Sequence, residues 1–195
     1  MNRLLPKAIS FDIYGTIIDW EGGTVDWYKK FFEKYKITGV SAAEIESAWE
    51  KLQFEYIRNY RPFRDVLMDT FKTTAWYYGF PYSEEDVISF ADEMAKMRAF
   101  PDAKEGMEMI RSLGIKVCAL SNVDNDIITE SFRHEGIVMD AIVTAEDVGS
   151  NRIYRVLSFT RLSPAAPKSC LKYRSPACIS SKANSTHPIK TASIA

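Results

Sequence analysis

Ser10-Phe11-Asp12-Ile13-Tyr14-Gly15-Thr16 closes and follows the first apolar run of the chain, Lys7–Ile13 (KAISFDI). The length of that run, its β-branched content and the turn residues behind it favour a buried strand over a helix. Asp12 therefore stands at the carboxyl end of a strand, with a glycine turn and a hydroxyl donor just beyond it. In open parallel sheets, sites form at that edge. An aspartate so placed suits nucleophilic carboxylate chemistry, because nearby donors hold one oxygen while the other attacks. A turn or helix N-cap aspartate is the competing reading.

Outward from this stretch the chain divides into a helical part and an alternating part. Residues 24–36 carry apolar side chains at Val25, Tyr28, Phe31, Phe32 and Tyr35, which is helical spacing. Ser41, with Glu44 as capping-box partner, opens a second helix through Ile45, Trp49, Leu52 and Tyr56. Pro62 followed by Phe63–Tyr78 predicts a third, with proline near its first turn. Ser83 and Asp86 open a fourth that runs to Met97, before Pro101 breaks the segment. Beyond Pro101, Lys104–Leu113 reads as a helix closed by Gly114, and Ile115–Leu120 (IKVCAL) as a strand ending at Ser121-Asn122. Asp126–His134 reads as a helix stopping at Gly136, and Met139–Thr144 as a further strand. Strands alternating with helices imply a parallel sheet with crossover helices. The expected fold is α/β, with a helical cap inserted after the first strand.

Composition sets the outer limits. Residues 1–150 hold all 26 acids and 17 bases, a net charge of −9, whereas residues 151–195 hold eight bases, no acid and no glycine, a net charge of +8. The acidic body argues against nucleic acid as a partner. Few large apolar residues follow position 150, so a basic, disordered tail is expected there. No run of 18 apolar residues exists, which argues against a membrane span, and Pro6 and Lys7 interrupt any signal-like core. Cys118, Cys170 and Cys178 show no metal or redox spacing, so a reducing, cytoplasmic setting is expected. Two histidines, His134 and His187, exclude a histidine-rich metal site.

Two ordered motifs then point to a family. Ser10–Thr16 resembles the first motif of the haloacid dehalogenase superfamily, and Leu120-Ser121-Asn122 resembles its second. Phe100-Pro101-Asp102, the Gly106 helix and Thr144–Ser150 also sit where that family places them. The resemblance covers residues 7–150. It implies an α/β, Rossmann-like parallel-sheet core formed by residues 1–17 and 100–150, with 18–99 as helical cap. Phosphatases of the superfamily carry an acid/base aspartate two positions after the nucleophile, where this chain has Tyr14. Tyrosine there resembles the L-2-haloacid dehalogenase branch, which needs no metal or other cofactor. A halide leaving group requires no proton, so the substitution is chemically coherent. The resemblance implies that Asp12 displaces halide from a small 2-haloacid and that water hydrolyses the resulting aspartyl ester. Thr16, Ser121 and Asn122 would position the Asp12 carboxylate and the substrate carboxylate, while Tyr14 shapes the pocket. Helix-capping roles for Thr16 and for Ser121-Asn122 stay open, and Asn125 and Asp126 read as ordinary cap residues. Relatives of this kind often pair as dimers, so a homodimer is an expectation too.

Three departures qualify the subtype. The cap arginine that holds halide in the dehalogenases precedes a Gln-x-Glu-Tyr stretch; here Gln53-Phe54-Glu55-Tyr56 is present, but the matching position is Glu50. An anion there repels both halide and carboxylate. Arg58, Arg61 and Arg64 lie nearby as substitutes, with pairing to local acids as the competing reading. The family lysine has no match, since Gly149-Ser150 is followed by Asn151-Arg152-Ile153-Tyr154, and neither Lys168 nor Lys172 stands in matching context. No acid follows Asp147, so the final acidic motif is missing, and with it the C-terminal part of the core. Such simultaneous loss is what a changed reading frame or splice pattern at residue 151 would leave, and the transcript sequence across that point tests it. The alternatives to a dehalogenase are a phosphatase of the same superfamily and a catalytically inactive relative that binds a ligand or partner.

Overall fold

The computed structural model describes residues 5–150. Three strands, β1 (Ala8–Phe11), β2 (Lys116–Ser121) and β3 (Ala141–Thr144), form a parallel sheet in the order β1-β2-β3. Helix α5 (Ala103–Ser112) precedes β2, α6 (Asn125–Glu135) crosses from β2 to β3, and the short α7 (Ala145–Val148) follows β3. Between β1 and β2 in sequence lie α1 (Trp20–Tyr35), α2 (Ala42–Tyr56), α3 (Phe63–Tyr78), α4 (Glu84–Glu93) and a 3-10 turn (Met94–Lys96). The helices between these strands span residues 20–96.

Local chemistry explains most helix ends. Ser41 and Glu44 form a capping box on α2, and Ser83 and Asp86 form one on α4. Helix α3 begins at Phe63 behind Pro62, as expected, and Gly79 ends it in the left-handed conformation. The expected run from Ser83 to Met97 is divided, with the α-helix ending at Glu93 and a 3-10 turn completing it. Helix α1 starts four residues earlier than the sequence predicts. Asp19 caps it by accepting from the Gly22 N–H at 3.1 Å, and Gly22 and Gly23 lie within its first turns. Gly23 is required there by a neighbour, since a Cβ would stand 2.6 Å from Met97 Cγ.

The expected strand Lys7–Ile13 shortens to Ala8–Phe11 because the chain turns at Ile13, whose carbonyl accepts from Thr16, Ile17 and Ile18. Beyond that turn the two passages between sheet and insert run side by side. Ile18 bridges Ala99, the Asp19 N–H donates to the Arg98 carbonyl at 2.8 Å, and that of Phe100 to Ile17 at 2.9 Å. One apolar cluster then runs through both parts, from Ile9, Phe11 and Val117 in the sheet to Trp49, Phe71 and Phe90 in the insert. Inside the insert, Phe90 lies 4.9, 5.0 and 5.2 Å from the rings of Trp27, Trp49 and Phe71. The buried indole of Trp49 donates to Thr70 Oγ1 at 2.9 Å, so its polar edge is satisfied in the core. Among the described residues no helix is long and apolar enough to cross a membrane. The tail of residues 151–195, with Lys168 and Lys172, lies outside the described residues.

Candidate active site

The sheet register brings the two sequence motifs to one edge. Phe11 is level with Ala119, and Ser121 is level with Thr144, so Asp12, Ser121 and Asn122 all leave the carboxyl ends of adjacent parallel strands. Gly15 adopts φ +87°, a conformation that costs a side chain about 1 kcal/mol or more, and this turn brings Thr16 back over Asp12. The buried Thr16 hydroxyl donates to Asp12 Oδ2 at 3.1 Å. Thr16 is thus bonded to the aspartate and does not cap the following helix, which Asp19 does.

Tyr14 points the other way. Its hydroxyl shares a 2.6 Å hydrogen bond with the fully buried Ser131 of α6, and its ring meets Trp20 edge-on at 5.9 Å. Burial pushes the Tyr14 phenol well above its ordinary range; the Ser131 bond opposes this, and the charge of Asp126 adds to it. Tyr14 thus ties the first loop to α6.

Ser121 ends β2 almost completely buried, and Asn122 carries a buried side-chain oxygen without a hydrogen-bond partner among the described residues. Turning the amide over presents Nδ2 at the same place, so the group can meet either a donor or an acceptor on a ligand. Neither residue caps α6. Its N-cap position is Asp124, and that carboxylate makes no bond to its own helix.

Asp124 is the residue that the sequence reading missed. Its two oxygens accept from the Phe63 N–H at 2.8 Å and the Arg64 N–H at 2.9 Å, in the first turn of α3 in the insert. Asn125 also departs from the expected role of an ordinary cap residue. Its side chain accepts from Thr144 Oγ1 at 3.0 Å and donates to Asp147 at 2.9 Å, while its N–H donates to Glu146 at 2.7 Å. These bonds join the start of α6 to α7, an element absent from the sequence reading. Asp126 lies inside the first turn of α6 and not at its cap; it accepts from the adjacent Ile127 N–H at 2.8 Å and from Arg64 at 3.1 Å.

Two glutamates of α2, Glu46 and Glu50, are held away from their ordinary titration by their surroundings. Glu46 is 4% exposed and one of its oxygens has no partner among the described residues. Burial, then the charges of Glu50 and Glu21, push its carboxyl up to about 7. Glu50 is half-buried and raised as well, first by burial and then by Glu21, with Lys51 opposing. Arg58, Arg61 and Arg64 are engaged with protein carboxylates: Arg58 with Glu55 at 2.7 Å, Arg61 with Asp69 at 2.6 Å, and Arg64 with both Asp92 and Asp126. Among the described residues no group of three or more His, Cys, Asp or Glu side chains is placed to hold a metal ion.

Comparison with known proteins agrees with this architecture. The profile of the haloacid dehalogenase-like hydrolases matches residues 6–164. The chain is 25% identical over 158 residues to (S)-2-haloacid dehalogenase 4A of Burkholderia cepacia, covering 76% of this chain and 64% of that protein. It is 22% identical over 137 residues to haloacetate dehalogenase H-2 of Moraxella sp. (strain B), covering 67% of this chain and 58% of that one. The chain thus spans about six tenths of the length of these relatives. Its fold matches that of the L-2-haloacid dehalogenase from Xanthobacter autotrophicus with a TM-score of 0.65 at 21% identity, over 80% of this chain and 66% of that structure. A parallel sheet carrying Asp12 at its edge, a helical insert after the first strand and the profile match lead to one family: the chain belongs to the haloacid dehalogenase-like hydrolases.

Proposed function

We propose that the chain is a 2-haloacid dehalogenase type of hydrolase that uses Asp12 as nucleophile. The observation that carries this reading is the Thr16 hydroxyl bonded to Asp12 Oδ2 at 3.1 Å, with Tyr14 where a second carboxylate would otherwise assist a phosphate leaving group. A carboxylate oxygen of Asp12 forms a bond to the halogen-bearing carbon as the carbon–halogen bond breaks, and the electron pair leaves with halide. No proton moves in that step. Water then adds to the ester carbonyl of Asp12; the 2-hydroxyacid leaves and one proton passes to solvent. Ser121 and Asn122 supply polar groups for the substrate carboxylate at the shared strand edge. No residue after Asp147 in this sequence is acidic, so no carboxylate from that stretch assists the water, and ester hydrolysis is expected to be the slower step. The partner in this reading is a small organic acid, the setting cytoplasmic, the assembly a homodimer.

A second reading has its own observation. Arg58, Arg61 and Arg64 are all committed to acids of the chain, and Glu50 takes the sequence position that matches the family's halide-holding arginine. That arrangement supports a relative that binds a ligand without turning it over. Halide release from L-2-chloropropionate, without added metal, separates the two readings. Release that falls at least about a hundredfold in Asp12→Asn supports the dehalogenase. Phosphate release from p-nitrophenyl phosphate only with Mg²⁺ would instead favour a phosphatase. Neither product, from a chain with intact helical circular dichroism, would favour the binding relative.

A further inference from the structure

Helix α3 has a start that its own sequence cannot satisfy. Pro62 occupies the N-cap position and offers no side-chain acceptor to the first N–H groups of the helix. Those of Phe63 and Arg64 are instead taken by the two oxygens of Asp124, sixty residues away in the loop after β2. Asp124 is 8% exposed, and at the N-cap of α6 an aspartate would ordinarily bond its own helix. The carboxylate serves the insert and leaves α6 without that cap. The Arg64 side chain doubles the link, pairing with Asp92 of α4 and Asp126 of α6.

The consequence is a closed ring of contacts around the Asp12 turn. Tyr14 meets Trp20 at 5.9 Å, Trp20 meets Phe63 at 6.3 Å, and the Phe63 N–H is held by Asp124, three residues after Ser121. Tyr14 also bonds Ser131 on α6, which begins beside Asp124. Both loops that carry the candidate site are thereby tied to the insert, one through packed rings and the other through a carboxylate. We propose that Asp124 is a positioning residue: by holding the first turn of α3 it fixes the Ser121-Asn122 loop against the insert and so sets the geometry over Asp12. The effect on chemistry rests on Asp12 as nucleophile; the fastening itself does not.

Amide exchange on the full chain, together with the rate at which L-2-bromopropionate alkylates Asp12, tests this with three variants. In Asp124→Ala, exchange at residues 63–66 and 121–126 should rise about tenfold while α2 keeps its protection, and alkylation should slow by a similar factor. Asp124→Asn, which keeps one acceptor oxygen, should fall between that variant and the natural chain. Pro62→Ser in the Asp124→Ala background supplies α3 with a local cap. It should restore protection at 63–66 and leave both the exchange at 121–126 and the alkylation rate impaired. Full recovery of all three in the double variant would reduce Asp124 to a helix cap and overturn the proposal. So would unchanged exchange in Asp124→Ala, or a rise confined to residues 125–128 of α6. If the natural chain does not alkylate at Asp12, the catalytic reading fails, while the two exchange measurements still decide the fastening.

Discussion

The helical insert and the three-stranded sheet are built to different standards of closure. The insert carries two complete capping boxes, and its aromatic rings meet at about 5 Å around Phe90. In the sheet, β1 and β3 are the outer strands among the described residues, and two of the four β3 residues, Ala141 and Ile142, are exposed. The candidate chemistry sits on the less closed part. The insert supplies the aromatic packing; the sheet edge supplies Asp12, Ser121 and Asn122. Fold stability and site geometry are therefore separable properties of this chain, joined through the Ile18–Ala99 passage, the shared apolar cluster and the Asp124 bonds.

Truncating the insert core breaks that contrast most severely. Trp49→Ala removes a fully buried ring and leaves the Thr70 hydroxyl without its indole donor, and should cost about 3–5 kcal/mol in urea unfolding. Asp86→Ala comes next, at about 2–3 kcal/mol, because this carboxylate accepts from Lys34, Tyr35 and Ser83 and completes the α4 capping box. Although burial alone would raise it, hydrogen bonds from Lys34, Tyr35 and Ser83 hold the Asp86 carboxyl at about 2. Its contribution is then present above the ordinary aspartate value and lost as pH falls through about 2. Urea midpoints of Asp86→Asn and the natural chain should accordingly converge near that pH.

Glu46→Gln acts in the opposite direction. With its carboxyl raised to about 7, the folded state holds a proton that the unfolded chain has already released, so the penalty grows from about pH 4.5 to 7. The variant should gain about 1–2 kcal/mol at pH 8 and nothing at pH 4, read from thermal midpoints. Ile142→Ala in β3 is the smallest effect, about 1 kcal/mol or less, since that side chain is already 38% exposed. A loss comparable to Trp49→Ala would show that the outer strand is covered after all and erase the contrast between the two parts.

Local signals were legible where the chain satisfies itself within a few residues. Ser41 with Glu44, Ser83 with Asp86, and the Phe63–Tyr78 helix behind Pro62 all stand where the sequence predicts. So does the gathering of Asp12, Thr16, Ser121 and Asn122 at one edge, because strand ends and turn residues mark it. The start of α1 was hidden because Gly22-Gly23 precede the apolar spacing that begins at Val25; Gly22 packs on its cap, Asp19, and Gly23 on Met97. The reach of Asp124 to α3 was not legible either. An aspartate ahead of a helix reads as its cap, and only tertiary structure shows that carboxylate spent on a helix sixty residues earlier. The pairing of Arg64 with Asp92 and Asp126 is hidden for the same reason.

The intact mass of the full chain after incubation with L-2-bromopropionate, without added metal, tests the central claim most directly. The account predicts an aspartyl ester that builds up on the natural chain, is absent from Asp12→Asn, and maps to the peptide containing Asp12. A folded natural chain that gains no mass and releases no bromide, or an adduct that persists in Asp12→Asn, would contradict it.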